Sequence, residues 1–226
     1  MKLKATKPPP AKRPVRPSKT FSHYRIRRAR AREAREGAEL IYLPMGTIAD
    51  YLFGMNDPGR AKRVLAKLFS KKRTRFSHEF CDFLETRSGI AGALVSYPAR
   101  IMSDMNWQLA RQLSQILGLK GMWQFLRRSL PLAGYKEAEP DEFYIYTLAV
   151  KPEFQHEGFG SRLLDHALEK TKQAGLFKCS LGVAINNRGA IRFYKKYGFK
   201  IVETIRMPPL QEALQYPGYY RMVKRT

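Results

Sequence analysis

The chain has 226 residues, 44% of them hydrophobic, and a formal net charge of +23 at pH 7. That is enough apolar residue for one generous domain with its own core plus a tail. Only two cysteines occur, Cys81 and Cys179, far apart in sequence. They exclude a disulfide-stapled scaffold, fit no metal-ligand spacing, and read as buried thiols of a reducing compartment.

No apolar run reaches membrane-spanning length, and the N-terminus has no apolar core of a secretory signal. The expectation is a soluble cytoplasmic protein without a transmembrane segment. Seven basic residues (Lys2, Lys4, Lys7, Lys12, Arg13, Arg16 and Lys19) precede Thr20 with no acid among them, and removing seven from +23 leaves +16 on the rest. A field of that sign favours anions: phosphates, acidic substrates, nucleic acid or an anionic membrane.

In chain order, residues 1–21 carry Pro8, Pro9, Pro10, Pro14 and Pro17 among the cations and are read as a basic disordered tail. It is either an electrostatic arm, with nucleic acid one partner, or a solvated tail without a role. The domain is placed at residues 22–226. Tyr24 to Ala29 reads as a strand, Ala34 to Leu43 as a helix, and Thr47 to Phe53 as a helical turn or two. Asp57 and Pro58 form a helix start, N-cap and first position, and Ala61, Val64, Leu65, Leu68 and Phe69 share one face of that helix.

Phe80 to Thr86 and Ile90 to Tyr97 read as a hairpin joined through Arg87, Ser88 and Gly89. In Met102 to Arg128, Met105, Leu109, Leu113, Ile116 and Leu117 form a helical stripe. Gly118 and Gly121 interrupt it, and Trp123, Leu126 and Leu130 suggest a second helix. Three readings of this stretch stand side by side: substrate lid, dimer contact (a homodimer) or core cover. Phe143 to Val150 reads as the central strand, Gly158 to Gln173 as a helix with Gly175 at its end, Leu176 to Ala184 as a strand and Asn187 to Tyr197 as a short helix. A strand starts at Gly198, and Tyr219 to Lys224 closes the chain.

The central strand runs into Val150-Lys-Pro152, then Gln155-His156-Glu157-Gly158-Phe159-Gly160-Ser161. Two glycines at a strand-to-helix turn leave backbone N–H groups open to phosphate at the positive end of a helix. The third glycine of a dinucleotide fingerprint and the Gly-Lys-Ser/Thr of a P-loop are both missing. Downstream stand Asn186-Asn187-Arg-Gly-Ala190, Tyr194 and Gly198-Phe199.

These two stretches resemble the two signatures of the GNAT N-acetyltransferase superfamily, Gln/Arg-x-x-Gly-x-Gly/Ala after Val-x-Pro, and Asn-x-x-Ala followed by Tyr and Gly-Phe. The resemblance covers roughly residues 22–226. It implies an α/β protein with a mixed, mostly antiparallel central sheet flanked by helices, and a helical insertion, residues 98–140, between strands three and four.

The resemblance also implies acetyl-CoA as co-substrate and an amine of unknown identity, in a metabolite or a protein, as acceptor, with direct attack and no metal. The backbone of Leu148, Ala149 and Val150 would pair with pantetheine. The backbone from Gln155 through His156, Glu157, Gly158, Phe159, Gly160 and Ser161 would hold the pyrophosphate, Asn187 would bond the cofactor arm, and Tyr194 would be the general acid. Each has a structural alternative: Tyr194 as an aromatic core residue, Asn187 as a helix cap. Glu157 departs from the family pattern and is expected to face solvent. Glu142 or Tyr146 is a candidate base, relayed through water. A reading from another class is a non-catalytic CoA-sensing or nucleic-acid-associated module.

Overall fold

The computed structural model describes residues 23–226; the basic segment expected at residues 1–21 lies outside the described residues. The strands are β1 (Tyr24–Arg28), β2 (Cys81–Thr86), β3 (Gly89–Pro98), β4 (Phe143–Val150), β5 (Lys178–Ala184), β6 (Lys200–Arg206) and β7 (Gly218–Arg225). The helices are α1 (Ala34–Met45), α2 (Thr47–Ala49), α3 (Pro58–Ser70), α4 (Met102–Ser129), α5 (Phe159–Gln173), α6 (Arg188–Lys196) and α7 (Pro208–Leu214). A π-helical turn, Asp50–Gly54, follows α2.

One seven-stranded sheet runs in the order β1-β2-β3-β4-β5-β7-β6. Every neighbouring pair is antiparallel except β4 and β5, which are parallel. This is the mixed, mostly antiparallel sheet expected, with a long helix between its third and fourth strands. Strand alternation sends side chains to two cores. Phe83, Ala93, Val95, Tyr97, Tyr144 and Ala149 meet α1, α3 and α4, while Leu84, Leu94, Ile145, Leu181 and Met222 meet α5 and α6.

The α3 start is chemical. The Asp57 carboxylate accepts from Gly59 N at 2.8 Å, and Pro58, with no N–H to satisfy, takes the first position. Ala61, Val64, Leu65, Leu68 and Phe69 are all buried, as their spacing requires. Gly37 lets α1 lie against α3, since a Cβ there would come within 2.3 Å of the Phe69 ring.

One expectation needs correction. Gly121 does not interrupt α4; only Gly118 leaves helical geometry, at φ 67° and ψ −180°. Trp123, Leu126 and Leu130, which suggested the second helix, are exposed, and Met122 and Phe125 pack inward. Helix α7 has no counterpart in the sequence reading. Among the described residues no helix is long and apolar enough to cross a membrane.

Helix α5 is tied to the sheet by charge as well as by Leu163, Leu164 and Ala167. The Lys170 ammonium lies 2.6 Å from the buried Asp82 carboxylate of β2 and donates to Ser96 Oγ at 3.1 Å. His166 Nε2 lies 3.4 Å from the same carboxylate and Arg28 Nε 3.4 Å from its other oxygen. Burial opposes ionisation of Asp82, but the His166 hydrogen bond and the Lys170 charge outweigh it and hold the carboxyl below its ordinary range. Burial pulls the Lys170 ammonium below its usual value, against the attraction of Asp82.

Asp82→Ala strands that ammonium and is expected to cost about 3 kcal/mol at pH 7, a fall of roughly 6–12 °C in melting temperature. A carboxyl held below its unfolded value stabilises above about pH 4 and loses that contribution as pH falls through its depressed folded value. Melting curves of wild type and variant should therefore converge on acidification; identical curves at pH 7 would refute the assignment.

Candidate active site

The site begins where two strands part. β4 and β5 pair only at Phe143–Cys179, Tyr144–Ser180 and Ile145–Leu181. The β3–β4 register shifts between Val95–Thr147 and Ser96–Ile145, so Tyr146 is an extra residue, a bulge that bends β4. Beyond it β4 follows β3 alone. Lys151 N donates to Ala91 O at 2.9 Å. That bond sets the phase of the ladder: Thr147 and Ala149 aim their backbone groups at β3, and Leu148 and Val150 aim theirs away from it.

On that open side Val150 O accepts from Gln155 Nε2 at 3.2 Å. The Leu148 N–H and C=O and the Val150 N–H have no strand partner there among the described residues. An extended chain of amides could pair with them as a missing strand would.

Val150 leads through Pro152 into the loop. His156 (φ 68°) and Gly158 (φ 80°) are left-handed, and Gly158 is the N-cap of α5. Glycine is the residue that takes this geometry freely. Successive turns of opposite hand gather backbone N–H groups into a concave anion seat. Arg162 N closes onto Gly158 O at 3.2 Å, so Gly160 and Ser161 have no helix carbonyl for their N–H groups. The α5 dipole adds positive potential there.

Phe159 is buried and anchors the helix start, Gly160 is half-buried, and Gln155 and His156 are exposed. Glu157 is half-buried. Arg162 carries a signal the motif reading passed over. It is exposed, follows the glycine turn by two residues, and stacks 5.6 Å over the Tyr24 ring.

Tyr194, on α6, closes the other side. It is 9% exposed, packs edge-on against Phe193 and Phe199, and makes no side-chain hydrogen bond among the described residues. Burial pushes its phenol well above the ordinary value for tyrosine, so the group holds its proton. Asn187 caps α6: its Oδ1 accepts from Ala190 N at 3.0 Å. The capping reading of Asn187 is therefore realised, and its exposed amide nitrogen is the part left for another partner.

The two candidate bases fare differently. Glu142 is 2% exposed and is ion-paired with the equally buried Arg221, while its Oε2 accepts from Glu139 N at 2.9 Å. The structure uses it as a brace between the start of β4 and β7, with both carboxylate oxygens engaged.

Tyr146 sits at the bulge itself. Its hydroxyl lies 3.8 Å from Met45 Sδ, and the Arg75 guanidinium lies 5.3 Å from its ring centroid. Burial raises its pKa despite Arg75, so it too keeps its proton. Arg75 is itself paired with Glu137 at 2.7 Å and bonds Asn106 Oδ1 at 2.7 Å. With Tyr97, Tyr144 and Thr147 these groups line the sheet face opposite α5, and the Tyr97 and Thr147 hydroxyls are buried there without a hydrogen-bond partner among the described residues.

Comparison with known proteins agrees with this geometry. A family model described as Acetyltransferase (GNAT) family matches residues 101–199. An uncharacterised N-acetyltransferase of Methanocaldococcus jannaschii is 36% identical over 81 residues, 36% of this chain and 31% of the relative. N-alpha-acetyltransferase 50 of Danio rerio is 40% identical over 62 residues, 27% of this chain and 37% of the relative. The matched stretch thus spans about a third of these curated relatives' own length. A crystal structure of an acetyltransferase superposes with a TM-score of 0.68 at 25% identity, covering 88% of this chain and 98% of the other. A parted central strand and an anion-seating loop at a helix start agree with these matches: residues 101–199 are similar to the GNAT acetyltransferase family, and the fold is that of a solved acetyltransferase.

Proposed function

We propose that the chain transfers the acetyl group of acetyl-CoA to an amine by direct attack. The observation that carries the reading is the parting of β4 from β5 after Ile145, beside the α5 N-terminus. Acetyl-CoA, the donor used by GNAT acetyltransferases, supplies a thioester: an acyl carbon activated by a thiol leaving group. The residues present fit its parts. Leu148 and Val150 offer outward-facing backbone groups to the amides of pantetheine. The N–H groups around Gly158, Gly160 and Ser161, with the exposed cation of Arg162, suit a pyrophosphate. The Asn187 amide nitrogen, exposed and left over from the α6 cap, is a donor that the same arm could use.

In the reaction the amine lone pair forms the new C–N bond and the C–S bond breaks. An outward N–H of the parted strand, at Leu148 or Val150, polarises the acyl oxygen as a fixed dipole. The Tyr194 phenol gives its proton to the departing sulfur. The amine's own proton leaves to solvent; neither Glu142, held by Arg221, nor protonated Tyr146 is placed to take it. The acceptor is an amine of a metabolite or a protein. The Danio rerio relative is named for acetylation of α-amino groups, which makes a peptide N-terminus a first candidate.

Titration calorimetry should show acetyl-CoA binding below millimolar. Gly160→Trp should abolish it: a Cβ at this position would stand 3.7 Å from the Phe193 ring, and the indole beyond it would fill the loop. Absence of binding by the folded wild type would overturn the reading. With an accepted amine, Tyr194→Phe should lower kcat about a hundredfold or more with little change in the KM for acetyl-CoA. Because burial raises the phenol's pKa, its acid role should persist to at least about pH 10, the ordinary tyrosine value. Glu142→Ala should lower the melting temperature, at a cost of about 3 kcal/mol, and leave the shape of the pH–rate profile intact. A lost acidic limb in that profile would restore Glu142 as the base.

A further inference from the structure

The outer surface of α4 has no task in acetyl transfer. From Leu119 an apolar stripe runs at i, i+4, i+7 and i+11 along the helix and into the 3-10 turn that follows it: Leu119 is 94% exposed, Trp123 63%, Leu126 42% and Leu130 64%. Trp107, on the outer face of the first half, is 74% exposed. Large side chains left in water in one stripe mark an interaction surface.

The charge around the stripe is of one sign. No acidic residue occurs between Asp104 and Glu137, nor between Asp57 and Glu79. Lys120 and Arg127 are exposed, and Arg127 stacks 5.5 Å over Trp123. Immediately before the stripe a cleft of about 260 Å³ lies between α3 and α4, lined by Arg60, Arg63, Val64, Lys67, Ile116 and Leu117. Its wall is cationic and its floor apolar. Arg60 and Lys67 make no ion pair among the described residues, and Arg63 meets only Asp57, at 3.6 Å.

We infer that the α3–α4 face docks the protein on an anionic lipid bilayer, with Leu119, Trp123, Leu126 and Leu130 entering the interface and the Arg60–Lys67 cleft receiving a lipid phosphate. The chemistry selects this occupant. Apolar residues on one side of a helix with cations beside them are what an interfacial helix requires. Anionic headgroups supply the opposite charge, screened by salt. A second copy of the chain would bring this basic face against itself. The N-terminal segment is equally basic. Nucleic acid would match the cations and the tryptophans but offers no apolar phase to three exposed leucines.

The chain's two tryptophans, Trp107 and Trp123, both lie on this helix, so their fluorescence reports on the surface directly. The test adds the 226-residue chain to vesicles of phosphatidylcholine, with or without phosphatidylglycerol. With phosphatidylglycerol present, co-sedimentation and a blue shift of tryptophan emission are expected, with quenching by lipids brominated in the acyl chain. In Trp107→Phe the shift should remain, carried by Trp123. Leu119→Asp with Leu130→Asp should weaken partitioning about tenfold or more. Arg60→Ala with Lys67→Ala should weaken it more at low salt than at high.

Failure of the wild type to bind or to shift its emission would overturn the proposal. So would binding without acyl-chain quenching, or binding indifferent to the two aspartates, since either would place adsorption elsewhere on the basic surface. An emission shift with RNA or an acidic peptide but not with vesicles would assign the surface to that partner instead.

Discussion

The parting of β4 from β5 is the constraint from which the rest of the site derives. A parallel ladder in the middle of a sheet is normally continuous, because buried N–H and C=O groups are costly to leave unpaired. Here the ladder stops after three registered residue pairs. The bulge at Tyr146 bends β4, and beyond it β4 stays paired with β3 alone until it enters the Gln155 loop. The Gln155 side chain takes up the Val150 carbonyl, and what remains is a short row of backbone groups with fixed direction. A ligand that presents amides in an extended chain would complete the ladder, which is the physical ground for proposing that the pantetheine arm lies there.

Keeping such a gap open requires that its flanks be held independently. Below the parting, Glu142 and Arg221 join the start of β4 to β7 across β5, and Ala99 N bonds Glu142 O at 2.8 Å. On the α5 side, Asp82 gathers Lys170, His166 and Arg28, so the helix whose N-terminus forms the anion seat cannot slide along the sheet. On the α6 side, Tyr194, Phe199, Cys179 and Leu181 form one buried cluster. Replacing a buried ion pair by apolar residues of like size is often neutral or stabilising, whereas losing one partner is not. These pairs are therefore better understood as registers that fix where α5 and β7 sit than as sources of stability.

Much of this was legible in the sequence because it depends on local chemistry. Asp57-Pro58 can hardly do anything but start a helix, and the α3 stripe has the period that burial demands. Gly158 announces a left-handed turn, and Tyr194 stands at a fixed distance from Gly198-Phe199. What was not legible depends on tertiary context. Glu142 looks like a free carboxylate until β7 brings Arg221 to it, 79 residues later. The bulge at Tyr146 leaves no trace in a strand of ordinary residues. Helix α7 opens on two prolines and runs only from Pro208 to Leu214, too short for periodicity to reveal. The outward turn of Trp123, Leu126 and Leu130 was hidden for a related reason. The change of backbone direction at Gly118 resets which residues face inward, and the spacing of apolar residues after it does not say which face the body takes.

That reset also connects the outer surface to the chemistry. Beyond Gly118, α4 is held to the body by Phe125, stacked on Phe53 at 5.8 Å between ring centroids, and by Arg128, which bonds Tyr51 O and lies 4.6 Å from the Tyr51 ring centroid. Tyr51 and Phe53 belong to the π-helical turn Asp50–Gly54. Phe53 in turn meets Phe76 edge-on, and Phe76 meets Tyr146 at the bulge, each at 5.4 Å. An unbroken chain of packed rings thus runs from the inner side of α4 to the residue at which the central strand parts. Packed aromatic contacts transmit displacement because interiors have little free volume. A contact made on the outer stripe therefore acts on an element that is mechanically continuous with the wall of the site, while α5 and its anion seat, on the opposite face of the sheet, are anchored separately through Asp82.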